Sequence, residues 1–234
     1  MKSIRTLALV TGLLGLCGVA QAQFSSTWPA VSDYDFRGWS QSAKDPALQG
    51  SADYAFGESG FAVGAWASSS IDFGAGTDAD VELDLYASYG AEINETFSWS
   101  ALANYYSYPG SDDAEDFLEV NVGFAAGNFG FKQWYADDWL GLADSAFYTE
   151  ANYSQPLGDK LSLDFHAGYS WGDAWEDAEL IDYSVALTYS AGNFNIFGKF
   201  TGTDASGDEK VTSDANTNEP RFLVGVSTTL PWGE

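Results

Sequence analysis

His166 is the only histidine in the chain, so any nucleophilic chemistry that needs an imidazole base must run through it. A hydroxyl partner on the same strand face would stand two residues away, and that position is Gly168. His166 therefore reads as a polar residue lining an interior, and a barrel hydrolase is the weakest of the functional readings. Carboxylates offer a second chemistry. Asp112, Asp113, Glu115 and Asp116 carry hard oxygen ligands, but their run lacks the spaced D-x-[DN]-x-[DN]-G pattern of a calcium loop. Loose association of divalent cations with acidic outer loops is expected, without a dedicated metal site. No glycine-rich phosphate cradle leads into a helix, and no cofactor is expected. The third chemistry is electrostatic. Arg37, Lys132 and Lys199 fall on the same polar faces as Asp33, Asp35, Asp53, Glu82, Asp84, Glu92, Glu119, Glu150, Asp164 and Asp182. Enclosed together, such charges either close an interior as an ion-pair network or form a constriction that selects ions by sign.

The elements that would enclose them are strands. The chain has 234 residues, 45% hydrophobic and 16% aromatic, which excludes a disordered segment. Its formal charge of -25 leaves no basic patch for nucleic acid. Residues 1–22 have the form of a secretory signal: Lys2 and Arg5, an apolar run from Leu7 to Ala20, and an Ala20-Gln21-Ala22 cleavage site. A lipoprotein signal ending at Cys17 is disfavoured by Leu16 before it. Cleavage after Ala22 leaves residues 23–234 without cysteine, an exported chain that carries no disulfide. No later stretch is long and apolar enough for a transmembrane helix.

From there the hydrophobic period is two. Val81, Leu83, Leu85, Ala87, Tyr89, Ala91 and Ile93 alternate with Glu82, Asp84, Tyr86, Ser88, Gly90 and Glu92. Residues 160–171 and 180–189 repeat the pattern, and weaker versions occupy 31–40, 47–56, 61–70, 96–108, 117–126, 129–136, 146–154, 194–203 and 221–230. The set numbers twelve, even as a closed antiparallel barrel requires. Short links such as Asn94-Glu95, Gly127-Asn128 and Gly192-Asn193 alternate with long ones at 71–79, 109–116, 137–145, 172–179 and 204–220. Tight turns on one rim and long loops on the other are the habit of outer-membrane barrels. Acids crowd the long links and the polar strand faces, and none falls on an outward position within a strand body. A hydrocarbon band demands that absence. Tyr34, Phe56, Trp99, Tyr105, Trp134, Tyr169 and Trp171 are expected as interfacial girdles, and Trp66, Tyr86, Tyr106 and Tyr148 as inward rings.

The segment Ser32-Asp33-Tyr34-Asp35-Phe36-Arg37-Gly38-Trp39-Ser40-Gln41-Ser42 resembles the opening signature of the TorF-like porin family. The likeness continues through residues 47–54, 60–68 and 82–90 and covers essentially the whole exported chain. It implies an outer-membrane channel-type barrel and no particular solute. The end, Leu230-Pro231-Trp232-Gly233-Glu234, departs from it by lacking a terminal aromatic residue.

The expectation is an all-β, closed, antiparallel up-and-down transmembrane barrel in the outer membrane of a Gram-negative bacterium. It would contact outer-membrane lipid and pass small hydrophilic solutes by diffusion. A net-negative lumen lined by the charged residues above and His166 would prefer cations. A closed barrel with a structural or surface-binding role is the alternative, and a soluble β-sandwich the alternative fold. Nothing in the sequence specifies an oligomeric state.

Overall fold

Alternating side chains give each strand one apolar and one polar face, and a sheet with two such faces in lipid must close, because an open edge leaves backbone groups unbonded. In the computed structural model, which describes residues 23–73, 79–111, 116–176 and 178–232, the sheet does close. The expected signal segment 1–22 lies outside the described residues, as do Asp112, Asp113 and Glu115.

The strands are β1 (Phe24–Val31), β2 (Asp35–Phe36), β3 (Trp39–Ser40), β4 (Ala47–Ala55), β5 (Phe61–Ile71), β6 (Ala79–Glu92) and β7 (Phe97–Ser107). They continue as β8 (Phe117–Ala126), β9 (Phe129–Ala136), β10 (Ala146–Pro156), β11 (Leu161–Trp171), β12 (Leu180–Ala191), β13 (Phe194–Thr203) and β14 (Arg221–Leu230). Twelve of them, β1 and β4 to β14, form one closed barrel of antiparallel neighbours. β1 closes it, pairing β14 from Ser26↔Leu230 to Val31↔Gly225 and β4 from Phe24↔Tyr54 to Val31↔Ala47. Gly127 and Gly192 open two of the tight turns at φ +59° and +65°, where any side chain would be strained.

The molecule is inside out relative to a soluble protein. Outward positions are apolar and bare, with Leu85 54% and Phe222 68% exposed. Inward positions are polar and buried: Glu82, Asn104, Glu119, Asp182 and Thr201 are among them. A contiguous apolar exterior around a polar core is a transmembrane arrangement.

Two expectations change. Residues 31–40 do not form a wall strand. β1 lies upstream, and 32–46 turn into the barrel carrying the β2–β3 hairpin. Asp33, Tyr34, Asp35 and Phe36 alternate as a wall strand would, whereas β1 reads weakly because Pro29 has no amide donor. That position is tolerated where the β1–β4 ladder skips from Ser25↔Asp53 to Ala30↔Leu48. Arg37 therefore is not separated from Lys199 by one wall strand; it hangs from the inward segment. Second, Tyr34 and Trp134 are not girdle residues. Both are buried, Tyr34 on the inward segment and Trp134 on the inner face of β9. Each indole or phenol alone is compatible with either side of the sheet, so only its phase against its neighbours decides.

Candidate functional site

The inward segment is held by its turn. Arg37 and Gly38 have consecutive positive φ values, +51° and +84°, which close the hairpin between β2 and β3 in two residues. Gly38 is required twice over, because a Cβ there would stand 2.6 Å from Thr203 Cγ2 on the wall. The hairpin tip lies against β12 and β13, and its side chains reach both sides of the lumen.

On the near wall, Arg221 at the start of β14 spreads its guanidinium over the segment. Nε donates to Asp33, Nη2 to Asp35 and Nη1 to the Gly38 carbonyl at 2.7 Å. Lys199 on β13 donates to Asp35 at 2.6 Å. On the far wall, Arg37 Nη2 forks onto both Glu119 oxygens at 3.0 and 2.8 Å, and the Tyr106 hydroxyl donates to the same carboxylate at 3.0 Å. The Arg37 guanidinium also lies 4.1 Å from the Tyr148 ring, 4.7 Å from Phe36 and 5.1 Å from Trp139, a cage that suits a weakly hydrated planar cation. Tyr34, Ile71, Tyr106, Tyr108, Phe117 and Trp139 pack into one apolar layer at the long-loop end. Backbone bonds from Ser40 to the Thr217 carbonyl and from Asp72 to the Gln41 carbonyl, both 2.9 Å, tie the segment to two outer loops. At the same rim Lys210 bonds Glu219 at 2.9 Å and holds that carboxyl below its usual range.

Toward the tight-turn rim the lumen is polar. Lys132 faces Glu150 at 3.6 Å, and Glu150 accepts from Trp134 Nε1 and Asn152 Nδ2, both at 2.9 Å. His166 Nδ1 faces the Asn152 oxygen at 2.8 Å, while Nε2 lies 2.9 Å from both Asp182 Oδ1 and the Tyr148 hydroxyl. Both ring nitrogens are thus engaged with groups that are not serine. Asp164 accepts from Ser154, Ser162 and Thr188 at 2.6, 2.9 and 3.1 Å. Asp53 accepts from Ser51 at 2.8 Å and from the Tyr86 hydroxyl. Asp53, Asp164 and His166 are half-buried, whereas Glu82, Glu119 and Lys132 are at most 3% exposed. Water-accessible charge therefore collects below the inward segment.

The charged residues singled out in the sequence fall into four groups, apart from Glu92, which is exposed at the tight-turn end of β6. Asp33, Asp35, Arg37, Glu119 and Lys199 meet at the inward segment. Lys132, Glu150, His166 and Asp182 form a network on β9 to β12. Asp53 and Asp164 stand apart beneath, and Glu82 and Asp84 lie side by side on β6 with no basic side chain among their bonds. Arg221, which makes the most contacts to the segment, escaped the sequence reading. Its signal was there: it is in phase with Leu223 and Ser227, both buried, and opposite Phe222 and Val224, both bare.

With that geometry, the likenesses to known proteins are informative. The KdgM porin superposes with a TM-score of 0.57 at 12% identity, covering 87% of this chain and 98% of that one. The NanC porin gives 0.55 at 10% identity, covering 88% and 98%. A second KdgM structure, in complex with disordered oligogalacturonate, gives 0.56 at 12% identity over 87% and 98%. These likenesses establish the fold. No curated protein matches the chain in sequence. The family model Gcw_chp, described as a bacterial protein of unknown function, matches residues 18–230, and so the chain belongs to the Gcw_chp family of bacterial proteins.

Proposed function

We propose that the protein is an outer-membrane channel of the porin type, passing small hydrophilic solutes and preferring cations. One observation carries the preference. The four bases of the lumen, Arg37, Lys132, Lys199 and Arg221, are each matched to a carboxylate, while half-buried Asp53 and Asp164 have only neutral partners. A passing ion therefore meets uncompensated negative charge in a low-dielectric wall. The likeness to the KdgM and NanC porins and to the TorF-like signature supports the channel class, and the engaged His166 supports passage over catalysis. The long-loop rim would face outward, and the signal segment would be removed after Ala22 during export. Outer-membrane lipid is then the surrounding solvent.

Single-channel recording of the purified protein in a planar bilayer tests the reading. A reversal potential of cationic sign in a salt gradient supports it, and one of anionic sign removes it. A second reading has its own observation, because the inward segment and its aromatic layer occupy the long-loop half of the lumen. On that reading the barrel is closed and serves as a structural or surface-binding element. Liposome swelling separates the two: entry of small sugars favours the channel, and silence favours the closed barrel.

A further inference from the structure

We propose that Glu119, Tyr106, Trp139 and Tyr148 form a binding site for guanidinium-bearing cations, which Arg37 fills as a tethered stand-in for the solute. The site stands whether or not the barrel conducts; naming such cations as the solute rests on the channel proposed above. Glu119 on β8 is 1% exposed, and its bonds come from the Arg37 guanidinium and the Tyr106 hydroxyl. The guanidinium carbon also lies near three rings from outside the hairpin, Tyr148 at 4.1 Å, Trp139 at 5.1 Å and Trp134 at 5.7 Å. A planar, weakly hydrated cation is compensated by ring faces and a buried carboxylate more fully than a compact ammonium is. These groups have supports of their own. The Tyr148 hydroxyl lies 2.9 Å from His166 Nε2, and Trp134 Nε1 donates to Glu150 at 2.9 Å. Tyr106 stacks on Phe117 with centroids 4.4 Å apart, and Phe117 meets Trp139 at 4.9 Å. The receptor is thus built into the wall and its loop, while the cation arrives on a separate segment.

The tethered cation fits imperfectly. Both of its bonds to Glu119 leave from Nη2, so the two-nitrogen fork that matches a carboxylate edge to edge is not used. The Arg37 backbone is left-handed at φ +51°, a conformation that a residue with a Cβ adopts only at a cost. A free guanidinium carries neither constraint: it can turn paired nitrogens onto Glu119 and keep the same rings. The exchange leaves no buried carboxylate unpaired, because one cation replaces another. On the near wall the polarity is reversed. There the wall supplies the cations, Lys199 and Arg221, and the inward segment supplies the carboxylates. An incoming cation therefore competes with the hairpin at Glu119, where the two carry the same charge, and the near-side bonds keep the segment seated.

The test is thermal unfolding of the purified protein in detergent with methylguanidinium, against methylammonium at equal ionic strength. Arg37→Ala empties the site, and methylguanidinium should raise the midpoint of that variant by ~2–4 °C once the site is mostly filled. Methylammonium should raise it by less than half as much, and Arg37→Ala/Glu119→Gln should lose most of the gain. An equal response to both cations, or a full gain in the double variant, overturns the site. Where Arg37→Ala does not fold, Arg37→Lys replaces it: methylguanidinium should raise its midpoint, and no rise overturns the site. The solute class is read separately, from the wild type in a planar bilayer with the two cations on opposite sides. A reversal potential that makes methylguanidinium about threefold or more the better permeant supports the class, and equal permeability overturns it. A barrel that conducts neither ion sinks the channel reading and the solute class together, while the midpoint shift still decides the site.

Discussion

Arg37 and Glu119 are 82 positions apart in the chain and meet across the lumen at 2.8 and 3.0 Å, both almost fully buried. The pair spans from the inward hairpin to β8, so the bond is what fastens the free end of the segment to the far wall. Removing one partner of a buried ion pair leaves the other uncompensated, at a cost of about 3–5 kcal/mol.

Arg37→Ala should therefore lower the unfolding midpoint and loosen the hairpin. In bilayers, its single-channel conductance should exceed that of the wild type. Glu119→Gln should move conductance in the same direction by less, since the aromatic cage still holds the guanidinium. Unchanged conductance in both variants would mean that the segment does not obstruct the path.

Gly38→Ala and Gly127→Ala form a matched pair. Both glycines have positive φ, +84° and +59°, but a Cβ at 127 meets nothing within 4 Å while one at 38 meets Thr203 at 2.6 Å. The turn variant should cost about 1–2 kcal/mol, the ordinary left-handed penalty. The hairpin variant should cost more and expose the 32–46 segment to added protease, which gel mobility after limited digestion would show. Equal behaviour of the two would contradict the close approach of hairpin and wall.

Asp53→Asn and Asp164→Asn should reduce cation preference, seen as a reversal potential moving toward zero, with little change in melting. Their bonds come from neutral hydroxyls on both carboxylate oxygens; an amide oxygen accepts those on one side, and a hydroxyl facing the amide nitrogen can turn to accept from it. Raising the salt should erode the wild-type preference, because the charges are reached by water. A preference that persists unaltered in the double variant would assign selectivity elsewhere.

Val122→Arg, on the outer face of β8 at mid-strand, should cost about 2–4 kcal/mol when the barrel refolds into lipid vesicles. The same change in a soluble sheet exposed to water would be nearly neutral. Urea titration of the vesicle-bound protein distinguishes the two.

Much of this was legible in the residues. Val81 to Ile93 and Leu161 to Trp171 alternate because one face meets hydrocarbon and the other meets the lumen, and a period of two survives without any knowledge of partners. Glycine-asparagine turns marked the tight rim for the same local reason. What alternation cannot tell is which wall a segment belongs to. Asp33 to Arg37 alternate as a hairpin inside the barrel, packed on both sides, and look the same as a strand of it. The partners that pull them inward, Glu119, Lys199 and Arg221, are 82 to 188 positions away. The pairing of Trp134 with Glu150 was hidden in the same way, since it rests on the register of β9 against β10.

The closing of β1 on β14 ties the hairpin to the completed sheet. Asp33 and Asp35 follow the first strand, but the cations that seat them sit on β13 and at the head of β14, at the opposite end of the chain. A sheet that lacks its last strand lacks Arg221 and with it half of the near-side berth. A chain truncated before β14 should accordingly carry residues 32–46 loose and open to cleavage.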